Sequence, residues 1–285
     1  NKTYANGIQA LKDISLEIDK GIFGLLGPNG AGKSSLMRTL ATLQDADSGS
    51  IRLNGIDILK DPQLARCQLG YLPQDFGVYP NVSAEELLNQ LAVFKGVTQS
   101  QQRQDMVAHQ LHLVNLYEQR HQKLETFSGG MRQRFGIAQA LLGSPKLMIV
   151  DEPTAGLDPT ERIRFQNLLA EISRDRVLLL STHIVEDVAE LCSRMAILQK
   201  GQIVRQGSPL ELVDALQGQI WTKWVNASTD IDPGWRLIIS RMVRGQRSVR
   251  IWSETSPGEG FEQAIPDLSD VYFTALMKTP IAIRV

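Results

Sequence analysis

An α/β fold built on a mainly parallel sheet is what this sequence predicts, and three observations predict it. Ile22–Leu26, Leu147–Val150 and Val177–Ser181 are short, continuous apolar runs, the texture of strands buried on both faces. Each is followed by a segment that reads as a helix, and such alternation implies right-handed crossovers between parallel strands. A chain of 285 residues can bury a sizeable core in one large or two unequal domains, and 42% hydrophobic with 21% charged residues fits a soluble globular protein.

Taken in order, Ile14–Ile18 alternates and predicts a half-buried strand. Ile22–Leu26 leads through a Gly-rich loop into a helix over Ser35–Leu43. Ser50–Leu53 predicts a strand closed by an Asn54–Gly55 turn, and Leu69–Leu72 another, ended by Pro73. Ser83 and Glu86 have capping-box spacing ahead of a helical face of Leu87, Leu88, Leu91 and Phe94. A second helix is predicted over Gln99–Val114, so residues 80–125 form a helical insertion. Arg132–Leu142 is a further long helix. Asp158, Pro159 and Glu161 open the helix after the 147–150 strand. Ile184–Leu191 is the helix after the 177–181 strand. Met195–Leu198 and Gln202–Arg205 flank Lys200–Gly201 as a hairpin, and Ser208 caps a helix to about Leu216. After Gly218 tryptophans cluster and alternating segments surround Gly245, a small α+β appendage closed by a helix over Asp267–Met277.

Net charge is −1, so no global electrostatic pull toward nucleic acid or anionic lipid exists. Cys67 and Cys192 lack a metal spacing and read as reduced thiols of a cytosolic protein. No run approaches the roughly 20 apolar residues of a membrane span, and no signal peptide is visible. The chain starts at Asn1 without an initiator Met, and a short preceding piece is expected.

The loop Gly27, Pro28, Asn29, Gly30, Ala31, Gly32, Lys33, Ser34, Ser35 satisfies the phosphate-loop pattern G-x-x-x-x-G-K-[ST]. Glycines let the backbone curl around phosphates with its N–H groups inward, and the following helix adds its positive dipole end. Lys33 supplies a cation for the outer phosphates, and the Ser34 hydroxyl can ligate Mg²⁺. Read alone, the loop is either a ligand-free Gly-rich turn or the nucleoside-triphosphate site of a kinase, a GTPase or an ATPase.

Two further constellations decide among these. Asp151 and Glu152 end the 147–150 strand, where Asp151 can hold Mg²⁺ through its water shell and Glu152 can orient an attacking water as general base. An acidic pair at a strand end is otherwise a solvated turn. Ser128, Gly129 and Gly130 open a helix and read either as a plain N-cap or as a second anion site. Two anion sites in one chain suggest one nucleotide held between two subunits.

Gly27–Ser35, Ser128–Gly130, Leu147–Glu152, Gly156–Asp158 and His183, in that order, resemble the nucleotide-binding domain of ATP-binding cassette (ABC) transporters over about residues 4–216. The resemblance implies a P-loop NTPase core of residues 1–217. Besides the parallel sheet, this has an antiparallel β subdomain and a helical subdomain over about 80–143, with residues 218–285 as accessory. It implies ATP and Mg²⁺ as cofactors. Tyr4 would stack on adenine, Gln74 would touch Mg²⁺, and His183 would contact the γ-phosphate. Asp158, locally a helix cap, would lie at a dimer interface. Two copies, or this chain and a homologous ATPase subunit, would pack head to tail, with the ATP of one facing Ser128–Gly130 of the other, and a separate transmembrane permease subunit would take up the motion. The chain would then be cytoplasmic and peripheral on the membrane. Phe76, Val78 and Tyr79 would contact the permease or else pack within their loop.

The sequence departs from the family's commonest Leu-Ser-Gly-Gly-Gln signature: Phe127 replaces Leu and Met131 replaces Gln. Ser-Gly-Gly-Met-Arg, and the tail Asp267–Phe273, resemble the branch of bacterial drug, polysaccharide and lipid exporters. Rival readings are a soluble mechanical ATPase acting on ribosome or DNA and a non-enzymatic regulatory or dimerisation module. The basic stretch Arg236–Arg250 between Trp235 and Trp252 invites a nucleic-acid partner, but residues 219–285 carry eight Lys/Arg against seven Asp/Glu, the balance of a solvated hairpin, so none is expected.

Overall fold

The computed structural model describes residues 1–277 except Asp75, Val78, Tyr79 and Asp230. Lys2–Thr3 (β1) pairs antiparallel with Gln9–Leu11 (β2). Ile14, Leu16 and Ile18 then turn half-buried side chains inward, so the predicted alternation is present. The segment joins no sheet, however, because alternation specifies a face and not a hydrogen-bonding neighbour. Gly21–Leu26 (β3) is buried almost throughout and runs into the phosphate loop and the helix Lys33–Leu40 (α1). Arg52–Leu53 (β4) and Ile56–Asp57 (β5) form a short hairpin whose turn, Asn54–Gly55, has φ of 48° and 83°, as an Asn-Gly turn favours. Pro62–Cys67 (α2) leads to Leu69–Leu72 (β6).

The helical insertion begins at Ala84–Phe94 (α3), capped by the predicted box: Ser83 Oγ accepts from Glu86 N, and Glu86 accepts from Ser83 N at 2.9 Å. Ser100–Leu113 (α4) and Gly129–Ala140 (α5) pack against it. Leu147–Asp151 (β7), fully buried, is followed by Pro159–Ile172 (α6), whose cap Asp158 accepts from Glu161 N at 2.9 Å. Val177–Thr182 (β8) and Val185–Leu191 (α7) repeat the unit. Arg194–Gln199 (β9) and Gln202–Gly207 (β10) make the predicted hairpin, and Pro209–Asp214 (α8) follows.

The central sheet has the order β10-β9-β3-β8-β7-β6. All its pairings are parallel except β9 with β10. The carboxyl ends of β3, β7 and β8 therefore share one edge, where an open α/β sheet places its ligand. Beyond it, Ile220–Val225 (β11), Arg236–Val243 (β12), Gln246–Trp252 (β13) and Glu262–Gln263 (β14) form an antiparallel sheet in the order β12-β13-β11-β14. Leu268–Ala275 (α9) packs onto α7 and α8. One apolar cluster runs from the helical insertion through β7 and β8 to Ile238, Trp252 and Leu268. Cys67, exposed, and Cys192, buried, are both free, and burial pushes the Cys192 thiol up to about 12.

Candidate active site

The phosphate loop is shaped by close approach. A Cβ on Gly27 would lie 2.4 Å from the Leu198 carbonyl oxygen, and one on Gly32 2.5 Å from that of Ala10. Gly32 also has φ of 110°, a conformation that L side chains rarely adopt. Lys33 is 5% exposed, and its Nζ folds back onto the loop, donating to the Gly27 carbonyl at 2.7 Å and to Pro28's at 3.3 Å. Burial pushes the Lys33 ammonium below its ordinary range, opposed by the nearby Glu152 and Asp151 carboxylates.

Glu152 stands at the centre. Oε1 lies 3.7 Å from Lys33 Nζ and Oε2 lies 3.1 Å from His183 Nδ1. Its backbone has φ of 46°, rare for a non-glycine residue, and is held there as its N–H donates to the Ser181 carbonyl at 2.8 Å. Preceding it, Asp151 is 4% exposed and its Oδ1 finds no hydrogen-bond partner among the described residues. Burial pushes that carboxyl above its ordinary range. A buried oxygen with free lone pairs, together with the Ser34 hydroxyl, suits an oxygen-ligated divalent cation such as Mg²⁺.

Tyr4, Pro28, Asn29, Gly30, Gly32, Lys33, Ser34, Ser35, Gln74 and Glu152 line one cavity of about 720 Å³, within the range of small-molecule sites. The Tyr4 hydroxyl lies 2.9 Å from Ser35 Oγ and donates to Gln44 Oε1 at 3.1 Å, which fixes the ring beside the loop. Gly27 and Ala31 are buried behind this lining. Ser128, Gly129, Gly130 and Asp158 lie outside it. Ser128 is exposed at the α5 N-terminus, its Oγ accepting from Met131 N at 3.2 Å.

The structure also extends the sequence reading. Phe76 is half-buried, with its ring against Gly136 of α5. Val78 and Tyr79, proposed with it, lie outside the described residues. Gln9, Lys12, Lys200 and Gly201 line the cavity unforeseen. Gly201 N donates to the Ala31 carbonyl at 2.8 Å, and Lys12 N donates to that of Gly201 at 2.7 Å. The β9–β10 turn thus closes over the phosphate loop because β9 neighbours β3. The hairpin was legible in the sequence, but its neighbour was not.

Residues 11–155 match the family model described as ABC transporter. The linearmycin resistance ATP-binding protein LnrL of Bacillus subtilis (strain 168) is 37% identical over 210 residues, 73% of this chain and 67% of that protein. Nod factor export ATP-binding protein I of Rhizobium etli is 32% identical over 220 residues, 76% and 69% respectively. Among solved structures, the dimeric ATP-binding cassette MJ0796 in a post-hydrolysis state with ADP and Pi superposes with a TM-score of 0.64 at 25% identity, over 73% of this chain and 94% of that one. The motifs, the parallel-sheet core and these matches agree: the chain belongs to the ABC transporter family, as an ATP-binding component that hydrolyses ATP.

Proposed function

We propose that this chain powers export through a separate membrane permease by ATP-driven, head-to-tail closure of two cassettes. The observation that carries the reading is the placement of Glu152 between Lys33 and His183 at the wall of the phosphate-loop cavity. Lys33 and the loop's N–H groups hold the phosphates. Ser34, Gln74 and Asp151 would hold Mg²⁺, partly through water, and the bound cation would neutralise phosphate charge. Tyr4 stacks on the adenine. Glu152 takes the proton of the attacking water, and His183 holds both Glu152 and the γ-phosphate.

Ser128, Gly129, Gly130 and Asp158 belong to the same reaction from the opposite copy. The exposed cap of α5 and the dimeric state of MJ0796 support that reading. Closure excludes water and completes the site, and product release reopens it.

Export is supported by the printed functions of the relatives, resistance to linearmycin and export of Nod factor. No helix among the described residues is long and apolar enough to cross a membrane. A groove of about 590 Å³ between the core and the helical insertion, with Leu43 62% and Phe94 86% exposed at its rim, suits an apolar helix end of that permease. The chain then works at the cytoplasmic face of the membrane. Residues 1–217 form the ATPase unit, with its helical subdomain over about 80–143, and residues 218–285 the accessory unit. Affinity capture of the tagged chain from detergent-solubilised cells tests this. A polytopic membrane protein in stoichiometric amount is the expected companion, and ribosomes or DNA in its place would overturn the transport reading.

A further inference from the structure

Asp187 lies on α7, four residues beyond His183, and is fully buried. An ionised carboxylate in such a place is costly unless donors surround it. Here they do. Oδ2 accepts from Thr154 Oγ1 at 2.5 Å. Oδ1 accepts from Arg162 Nε at 3.0 Å and Gln166 Nε2 at 3.0 Å, with Arg162 Nη2 at 2.8 Å. Thr154 sits two residues after Glu152, and Arg162 and Gln166 lie on α6, the helix capped by Asp158. One carboxylate thus joins three pieces of chain: the loop leaving β7, the first turns of α6, and the helix after His183.

The arrangement is a ladder of two rungs between the same two segments. The Glu152–His183 contact at 3.1 Å is one rung, and the Thr154–Asp187 bond at 2.5 Å is the other. Short bonds to a charged acceptor are among the stronger hydrogen bonds. The second rung is buried, whereas the His183 side chain is 47% exposed, so solvent weakens the first rung more than the second. An apolar cluster of similar volume would hold α6 and α7 together at least as well, so a network this polar specifies a register more than it adds stability.

We propose that Asp187 is a positioning residue for ATP hydrolysis: through Thr154 it fixes the spacing of Glu152 from His183, and through Arg162 and Gln166 it fixes the angle at which the Asp158 loop leaves the site. The inference rests on the roles proposed above for Glu152 and His183. Asp187 is fully buried and does not line the phosphate-loop cavity, and a loss of its grip lets Glu152 leave its left-handed backbone well.

The test is steady-state ATPase kinetics of full-length Thr154→Val, with Thr154→Ser and Glu152→Gln alongside. Thr154→Val removes only the donor to Oδ2. Its kcat per folded molecule is expected to fall about tenfold, while KM for ATP and the affinity for a fluorescent ATP analogue stay as in the unaltered chain and Tm falls because the buried Oδ2 loses its donor. Thr154→Ser keeps the hydroxyl and restores kcat. Should Thr154→Val express poorly, Thr154→Ala removes the same donor without adding a methyl group beside Asp187. Either donor-less variant turning over ATP at the unaltered rate, or losing Tm with kcat per folded molecule unchanged, overturns the proposal. Undiminished turnover by Glu152→Gln instead overturns the assignment of the base on which it rests.

Discussion

His183 Nδ1 lies 3.1 Å from Glu152 Oε2, and this contact ties the end of β7 to the end of β8 across the edge where the phosphate loop opens. Lys33 Nζ lies 3.7 Å from its other oxygen, so Glu152 is held from both sides. Glu152→Gln keeps the shape of the side chain and loses the proton acceptor. We expect kcat to fall by about two to four orders of magnitude with ATP affinity retained, measured by phosphate release and by binding of a fluorescent analogue. Near-normal turnover would remove Glu152 as the base.

The raised pKa of Asp151 makes a prediction about stability. Because burial lifts its folded pKa above the unfolded value, its stabilising contribution is present at pH below the unfolded pKa and lost as pH rises through the folded one. At pH 7 to 8 the ionised group therefore strains the nucleotide-free chain. Asp151→Asn should raise Tm there, with the gain vanishing toward pH 4. In Mg-ATP the order should reverse, because only the unaltered chain then gains a cation on Asp151. Thermal scans at several pH values read both effects.

Gly27 has no space for a side chain, since the Leu198 carbonyl oxygen would lie 2.4 Å from a Cβ there. Gly27→Ala should therefore push the loop off β9, destabilise the chain by about 1–3 kcal/mol and abolish ATP binding. Gly129→Ala, with nothing within 4 Å of the added carbon, should leave stability unchanged. Denaturant titration of the two variants separates crowding from a general effect of losing glycine.

Arg250 and Asp270 form a two-bonded ion pair, Nε to Oδ1 and Nη2 to Oδ2 at 2.6 Å each, with Asp270 1% exposed. The pair ties β13 to α9, and α9 packs on α7 behind His183. Arg250→Met leaves the carboxylate buried without its cation, at a cost of about 3–5 kcal/mol. Amide exchange should speed up in α9 and β11–β14 first, and in the β3–β8 core least.

Local chemistry was legible from the sequence, and non-local pairing was not. The phosphate loop, the Ser83–Glu86 box and the Asp158 cap are written in adjacent residues, and each forms as read. Ile14–Ile18 shows the opposite case: its side chains alternate as expected, yet whether a strand finds a partner depends on distant chain. Lys12 and Lys200 were missed as lining residues for the same reason, since only the order of β9 beside β3 brings them to the loop. Nothing in the neighbourhood of Phe76 announces that Gly136, sixty residues on, leaves room for its ring. The left-handed backbone of Glu152 has no sequence signal at all, for a glutamate seldom adopts it.

In the proposed mechanism one chain holds half of a site and ATP joins two halves. Sedimentation velocity of Glu152→Gln with and without Mg-ATP tests it most directly. The expected result is a monomer without nucleotide and a dimer of twice the 31.7 kDa chain mass with it, abolished when Ser128 is replaced by Arg. A monomer in both conditions, with ATP demonstrably bound, would contradict it.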